Sequence, residues 1–249
     1  MNKSRWIAHE RIMSEDNVNL LCFTYPGGSA SNFATWKKSI DERINLIPIL
    51  YPEREIRKND EMEENFNLFV DHFIEQNEEL LKKPYAFFGY CGGAVIAYEI
   101  CIKVKELYGI EPIWGFVASS EAPEYLRDSL VAFPDKDAKQ DITDYLVGLG
   151  MFDENVVKSK IFLEYYVPML KADCRMLDTY KFRNHEKMEC GLNILYGKED
   201  STVRYEKTLK WKDVTNGEVI FEECAGGHFF VDMQKEYVCQ LINARLIDR

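Results

Sequence analysis

Cys91 lies in GYCGG (residues 89–93), which fits the pattern GxSxG with cysteine in the serine place. An apolar, strand-like run, PYAFFGY, precedes it at 84–90. A helical pattern closed by a glycine occupies 91–109. This placement predicts a sharp strand-to-helix turn with strained backbone and neighbours too close for side chains. A sulfur at that turn meets the unpaired amides and the dipole of a helix N-terminus, both of which favour thiolate over thiol. Cys91 is the candidate nucleophile.

A nucleophile of this kind needs a base, and the base needs an orienting acid. Of the four histidines, His228 in AGGHFF follows the last strand-like run and precedes the last helical one. His9 lies near an end, His72 in an amphipathic helix and His185 in the charged run FRNHEK, so His228 is the candidate base. The acid is expected to leave the end of an earlier strand. Asp200 does so in LYGKED, with neighbouring Glu199, and Glu121 after the preceding strand, as possible substitutes. An oxyanion formed at Cys91 would be held by the amide of Gly92 and by a donor from the early turn YPGG. Pro26 has no N–H, so either Gly27 supplies the second donor after a small backbone shift or the hole is weakened. Loss of one such donor typically costs about 2.7 to 4 kcal/mol of transition-state stabilisation. No HExxH or CxxC spacing occurs, so neither a metal site nor a bound cofactor is expected.

The elements that must position these residues are short apolar runs at 18–24, 44–50, 84–90, 111–120, 191–197 and 218–224. Their apolar character is continuous rather than alternating, as in strands buried on both faces. Helical patterns lie between them: 32–40, 60–79 with apolar residues at spacings of three and four, 91–109 and 232–247. This alternation predicts an α/β fold, a mostly parallel sheet with helices on both faces. The stretch 121–185 breaks the rhythm with helical patterns and delays the next strand. It is expected to be a helical lid over the carboxyl ends of the strands, inserted in a single domain spanning 1–249.

The 249 residues are 46% hydrophobic, enough for one substantial core. With 31 lysines and arginines against 42 aspartates and glutamates, the net charge is −11, and no stretch is basic enough to follow a phosphate backbone. Nucleic acid is not an expected partner. No apolar run approaches the roughly 20 residues needed to span a bilayer, so no membrane is expected either, and a cytoplasmic location is. The seven cysteines are an odd number in a chain too large to need staples, and most read as small buried hydrophobes in a reducing compartment.

Longer segments resemble type II thioesterases, the stand-alone α/β-hydrolases associated with nonribosomal peptide and polyketide synthases in antibiotic biosynthesis. TYPGGSASNFATW is similar to the family's early glycine turn, PEREIR to its PGRExR segment and KPYAFFGYCGGAVIAYEI to its nucleophile region. VASSEAP, VPMLKADCRMLDTY, LYGKEDSTV and GGHFF are similar to the following strand end, the end of the lid, the acid segment and the histidine segment. The resemblance implies an α/β-hydrolase fold and hydrolysis of acyl thioesters on the phosphopantetheine arm of an acyl or peptidyl carrier protein. It places the catalytic triad on Cys91, Asp200 and His228. The chain departs from the family at Cys91 (usually serine), Tyr90 (histidine), Gly92 (methionine) and Pro26 (alanine). A cysteine nucleophile exchanges one thioester for another and keeps the acyl group activated. Transfer of an acyl or aminoacyl group to another thiol or amine is therefore the alternative activity. A carrier-binding module with little turnover is the alternative of another class.

Overall fold

The computed structural model describes residues 4–127, 139–148 and 150–247. Six strands form one sheet: β1 (Val18–Phe23), β2 (Ile44–Pro48), β3 (Tyr85–Tyr90), β4 (Trp114–Ala118), β5 (Gly191–Gly197) and β6 (Val219–Cys224). Their order is β2-β1-β3-β4-β5-β6, and every adjacent pair is parallel. The expected α/β architecture is present. β2, β3 and β4 are buried at every position, which is why their sequences read as continuous apolar runs. At one edge, antiparallel bridges from Ile7 to Ile49 and from Arg11 to Leu46 cover β2. At the other edge, β6 stays partly exposed along most of its length.

Helices cover both faces. α1 (Phe66–Leu81) buries Phe66, Phe69, Val70, Phe73 and Ile74, each side chain contributing about 1.5–3 kcal/mol through removal from water. It starts later than the apolar spacing from residue 60 suggests, because the Asn65 side chain accepts hydrogen bonds from the amides of Asn67 and Leu68 and caps the helix there. α2 (Gly92–Tyr108) packs on the same face and ends at Gly109, whose φ of 67° makes the left-handed cap. The segment read as a short helix over 32–40 is a 3₁₀ helix, Ala30–Lys38. It brings Phe33 and Trp36 against Phe88 on the opposite face, where the C-terminal helix α5 (Lys235–Ile247) also packs.

Between β4 and β5 lie α3 (Lys139–Gly148), a turn of helix at Glu154–Val157, a π-helical turn at Phe162–Tyr166 and α4 (Val167–Asp178). The helical patterns of this stretch are thus broken into pieces. Pro168, in the first turn of α4, supplies no N–H to the preceding turn. Residues 128–138 and 149 of the stretch 121–185 lie outside the described residues. The rest carries its own apolar cluster, centred on Ile142, Leu146, Val157, Phe162, Leu170 and Cys174.

Candidate active site

In a parallel sheet all strands end on one side, so every loop that follows a strand opens onto the same edge. Gly27 follows β1, Cys91 β3, Ser119 β4, Asp200 β5 and His228 β6. Residues far apart in sequence are gathered there by topology alone.

Cys91 occupies the turn between β3 and α2 with φ 53° and ψ −126°, a strained backbone for a non-glycine residue. Its amide is fixed by the Ala118 carbonyl at 2.8 Å. Two flanking glycines are required by space: a Cβ on Gly89 would fall 2.3 Å from Ala94 Cα, and one on Gly93 2.4 Å from the Thr24 carbonyl oxygen. The sulfur is half-buried, whereas the other six cysteines are buried.

His228 is 8% exposed, and its Nδ1 lies 2.8 Å from Asp200 Oδ2. The carboxylate is itself oriented. Its Oδ1 accepts from the Thr202 hydroxyl at 2.7 Å and from the amides of Thr202 and Val203 at 2.9 and 3.2 Å. The Thr202 oxygen also lies 2.9 Å from His228 Nδ1. Burial opposes charge on this imidazole. Electrostatic interaction with Cys91, hydrogen bonds to Asp200 and Cys91 and the Asp200 charge outweigh it, and the His228 pKa is pushed up to about 10. Burial works the other way on Asp200, but the bonds and charge of His228 and the Thr202 contacts keep its carboxyl below the usual range.

Two further side chains hold the histidine from behind. Ser119 Oγ and Tyr90 Oη donate to the His228 carbonyl oxygen, at 2.7 and 3.1 Å. Neither Ser119 nor Thr202 stood out in the sequence. The one available signal was Tyr90, a tyrosine beside the nucleophile where related chains usually carry histidine. The possible substitutes for Asp200 are engaged elsewhere. Glu121 is buried and paired with Arg204 at 2.7 Å, and Glu199 accepts from the Gly226 amide. His9, His72 and His185 pair with surface glutamates or the Glu99–Glu106 cluster and stand apart from Cys91.

The two expected oxyanion donors differ. Gly92 begins α2, where a first-turn amide has no intrahelical acceptor. Gly27 instead donates to Asp173 Oδ2 at 2.7 Å. Asp173, on α4, is 2% exposed, and a carboxylate so buried must collect donors. It takes them from Gly27 and from the buried guanidinium of Arg54, whose Nη2 bonds Oδ1 and whose Nη1 lies 3.0 Å from Oδ2. Arg54 also donates to the carbonyls of Pro52 and Gly28, so one buried ion pair ties α4 to the loops after β1 and β2.

Among the described residues no group of three or more potential ligands could hold a metal ion, and no helix is long and apolar enough to cross a membrane.

The thioesterase domain family matches residues 18–246. Gramicidin S biosynthesis protein GrsT of Aneurinibacillus migulanus is 26% identical over 243 residues, covering 95% of this chain and 93% of its own. Thioesterase PikA5 of Streptomyces venezuelae is also 26% identical, covering 97% and 85%. The type II thioesterase BorB from the borrelidin biosynthetic cluster superposes with a TM-score of 0.82 at 22% identity, over 95% of this chain and 97% of that one. RedJ, a thioesterase of prodiginine biosynthesis in Streptomyces coelicolor, gives 0.81 at 23% identity over 92% and 90%. With a strand-to-helix turn at the centre of a parallel sheet and a family match over nearly its whole length, the chain belongs to the thioesterase family, with stand-alone type II enzymes among the structures it resembles.

Proposed function

We propose that the protein hydrolyses acyl or aminoacyl thioesters from the phosphopantetheine arm of a carrier protein in nonribosomal peptide or polyketide synthesis, through an acyl intermediate on Cys91. The carrying observation is the contact between His228 and Asp200 at 2.8 Å, combined with an imidazole that interacts with the Cys91 sulfur. The relatives named above supply the substrate class: gramicidin S, borrelidin and prodiginine biosynthesis appear in their names.

In this reading the Cys91 proton rests on His228. The thiolate adds to the thioester carbonyl, with the Gly92 amide facing the oxyanion. As the adduct collapses, the bond to the carrier sulfur breaks and that sulfur takes the proton from His228. A water then attacks the Cys91 thioester while neutral His228 accepts its proton, and Cys91 leaves with the free acid released. Asp200 fixes the imidazole tautomer and stabilises its charge throughout. Residues 121–185 act as the lid of this single domain. Their separate apolar cluster supports that role, as does Met151, which packs against both this cluster and the core beside Cys91.

Intact-protein mass spectrometry with an acyl-loaded carrier tests the reading. An acyl adduct on the wild type, absent in Cys91→Ala and decaying to free acid, is the expected result. An adduct that persists in water and empties onto a second unloaded carrier would instead make the protein an acyltransferase. Unchanged carrier binding with no adduct would make it a binding module.

A further inference from the structure

A tetrahedral oxyanion is best held by two donors, and this chain lacks the second one in the usual place. Pro26 has no N–H, and the Gly27 amide is bound to Asp173 at 2.7 Å. The turn nonetheless presses on the nucleophile: Pro26 ring carbons lie 3.3 Å from the position a Cβ on Gly92 would take. We propose that the hydroxyl of Tyr25 is the second oxyanion donor, making Tyr25 a catalytic residue of the reaction assigned above, on which this inference rests.

Tyr25 is 7% exposed, and its ring packs edge-on against Tyr90 at 5.0 Å and Phe229 at 5.1 Å, the residues adjoining Cys91 and His228. Its oxygen accepts from Asn32 Nδ2 at 2.8 Å, and its own proton goes to no group among the described residues. Asn32 cannot turn around, because its Oδ1 is held by the Ser29 amide at 2.8 Å. A hydroxyl whose oxygen accepts one hydrogen bond is a stronger donor of another. Burial, reinforced by the nearby charges of Asp232 and Cys91, raises the Tyr25 pKa, so its proton is retained at any working pH.

In the step itself the Cys91 sulfur forms a bond to carbon and the carbonyl π pair moves onto oxygen. Tyr25 O–H and Gly92 N–H each donate a hydrogen bond without losing a proton. The pair returns to carbon as the bond to the leaving sulfur breaks, and that sulfur takes its proton from His228. Tyr25 therefore matters to acylation and not to simple alkylation of Cys91, which forms no oxyanion.

Rapid-mixing measurement of thiol release and adduct mass, with acetyl and octanoyl N-acetylcysteamine thioesters, separates the two when set beside the iodoacetamide rate of the same samples. Tyr25→Phe keeps the ring contacts and is expected to acylate about 10²–10³-fold more slowly with alkylation unchanged. Pro26→Ala, which restores an amide to the turn, is expected to recover most of that loss in the Tyr25→Phe background. Acylation by Tyr25→Phe at the wild-type rate, or parallel loss of acylation and alkylation, would overturn the donor role alone. No adduct on wild-type Cys91 from either thioester would overturn the hydrolase reading and this one with it.

Discussion

His228 is buried, yet it holds its proton to a pKa of about 10 against an ordinary 6.5. A folded-state value above the ordinary one means that this proton stabilises the fold fully below about 6.5. The contribution is lost as pH rises through about 10. Asp200, held below its usual range, works in the opposite direction: its contribution is present above the ordinary carboxylate value and is lost as pH falls through the depressed one. The pair is therefore charged on both sides across neutral pH, and the rate of Cys91 alkylation is expected to run flat through 6.5. A rise centred at that pH would mean that neutral imidazole is the resting form. His228→Ala removes the imidazole beside Cys91 and should slow alkylation at neutral pH. Asp200→Asn, which leaves the shape intact but fixes the wrong tautomer, should lower the acylation rate by about 10³–10⁴-fold in the same thiol-release assay. The proposed triad of Cys91, Asp200 and His228 could be suggested from the sequence because each follows an apolar run with glycines nearby, and the structure places His228 against Asp200. The roles of Ser119 and Tyr90 could not, because both hydroxyls act on the carbonyl of His228, more than a hundred residues away. Thr202, two residues from Asp200, looks like any turn threonine until its carboxylate partner is seen.

The strands could be read because burial on both faces writes itself as an unbroken apolar run. Their parallel neighbours and the order β2-β1-β3-β4-β5-β6 come from pairing, which no single run encodes. The helices were legible in existence and less so in extent: Asn65 moves the start of α1, and Pro168 divides the pattern ahead of α4. The clamp on α4 was invisible, since Arg54 in PEREIR and Asp173 in ADCR stand 119 positions apart. Its removal belongs to the scale of elements. Asp173→Asn strands the Arg54 charge in a site with 3% side-chain exposure and should destabilise the protein by about 3–5 kcal/mol in urea titration. Gly93→Ala is expected to prevent native folding, judged by the loss of near-UV circular dichroism, because the new carbon would meet the Thr24 carbonyl at 2.4 Å between packed elements.

At the scale of the molecule, the sheet separates two apolar layers and leaves chemistry to one edge. The net charge of −11 sets how a carrier must approach, because carriers are often acidic too and long-range attraction between two acidic surfaces is absent. Recognition then rests on local contact around the mouth of the site, and raising the salt concentration should leave turnover of an acidic carrier unchanged or increase it. The layered core has a second effect through sulfur. Cys22, Cys101, Cys174, Cys190, Cys224 and Cys239 are sealed inside, and Cys91 alone is half-buried at a helix start. An oxidant meeting the native protein finds one thiol within reach, and it is the proposed nucleophile; the thioethers of Met13 and Met233 are also exposed but lie outside the proposed triad. Hydrogen peroxide should abolish activity with a single added oxygen on Cys91, detectable by peptide mass, while the melting temperature stays near its starting value; dithiothreitol should restore activity until the sulfinic stage is passed. A serine at this position would be indifferent to such exposure. Under the proposed mechanism the cysteine would tie thioester turnover to the redox state of its surroundings, and oxidation would silence the enzyme with its fold still whole.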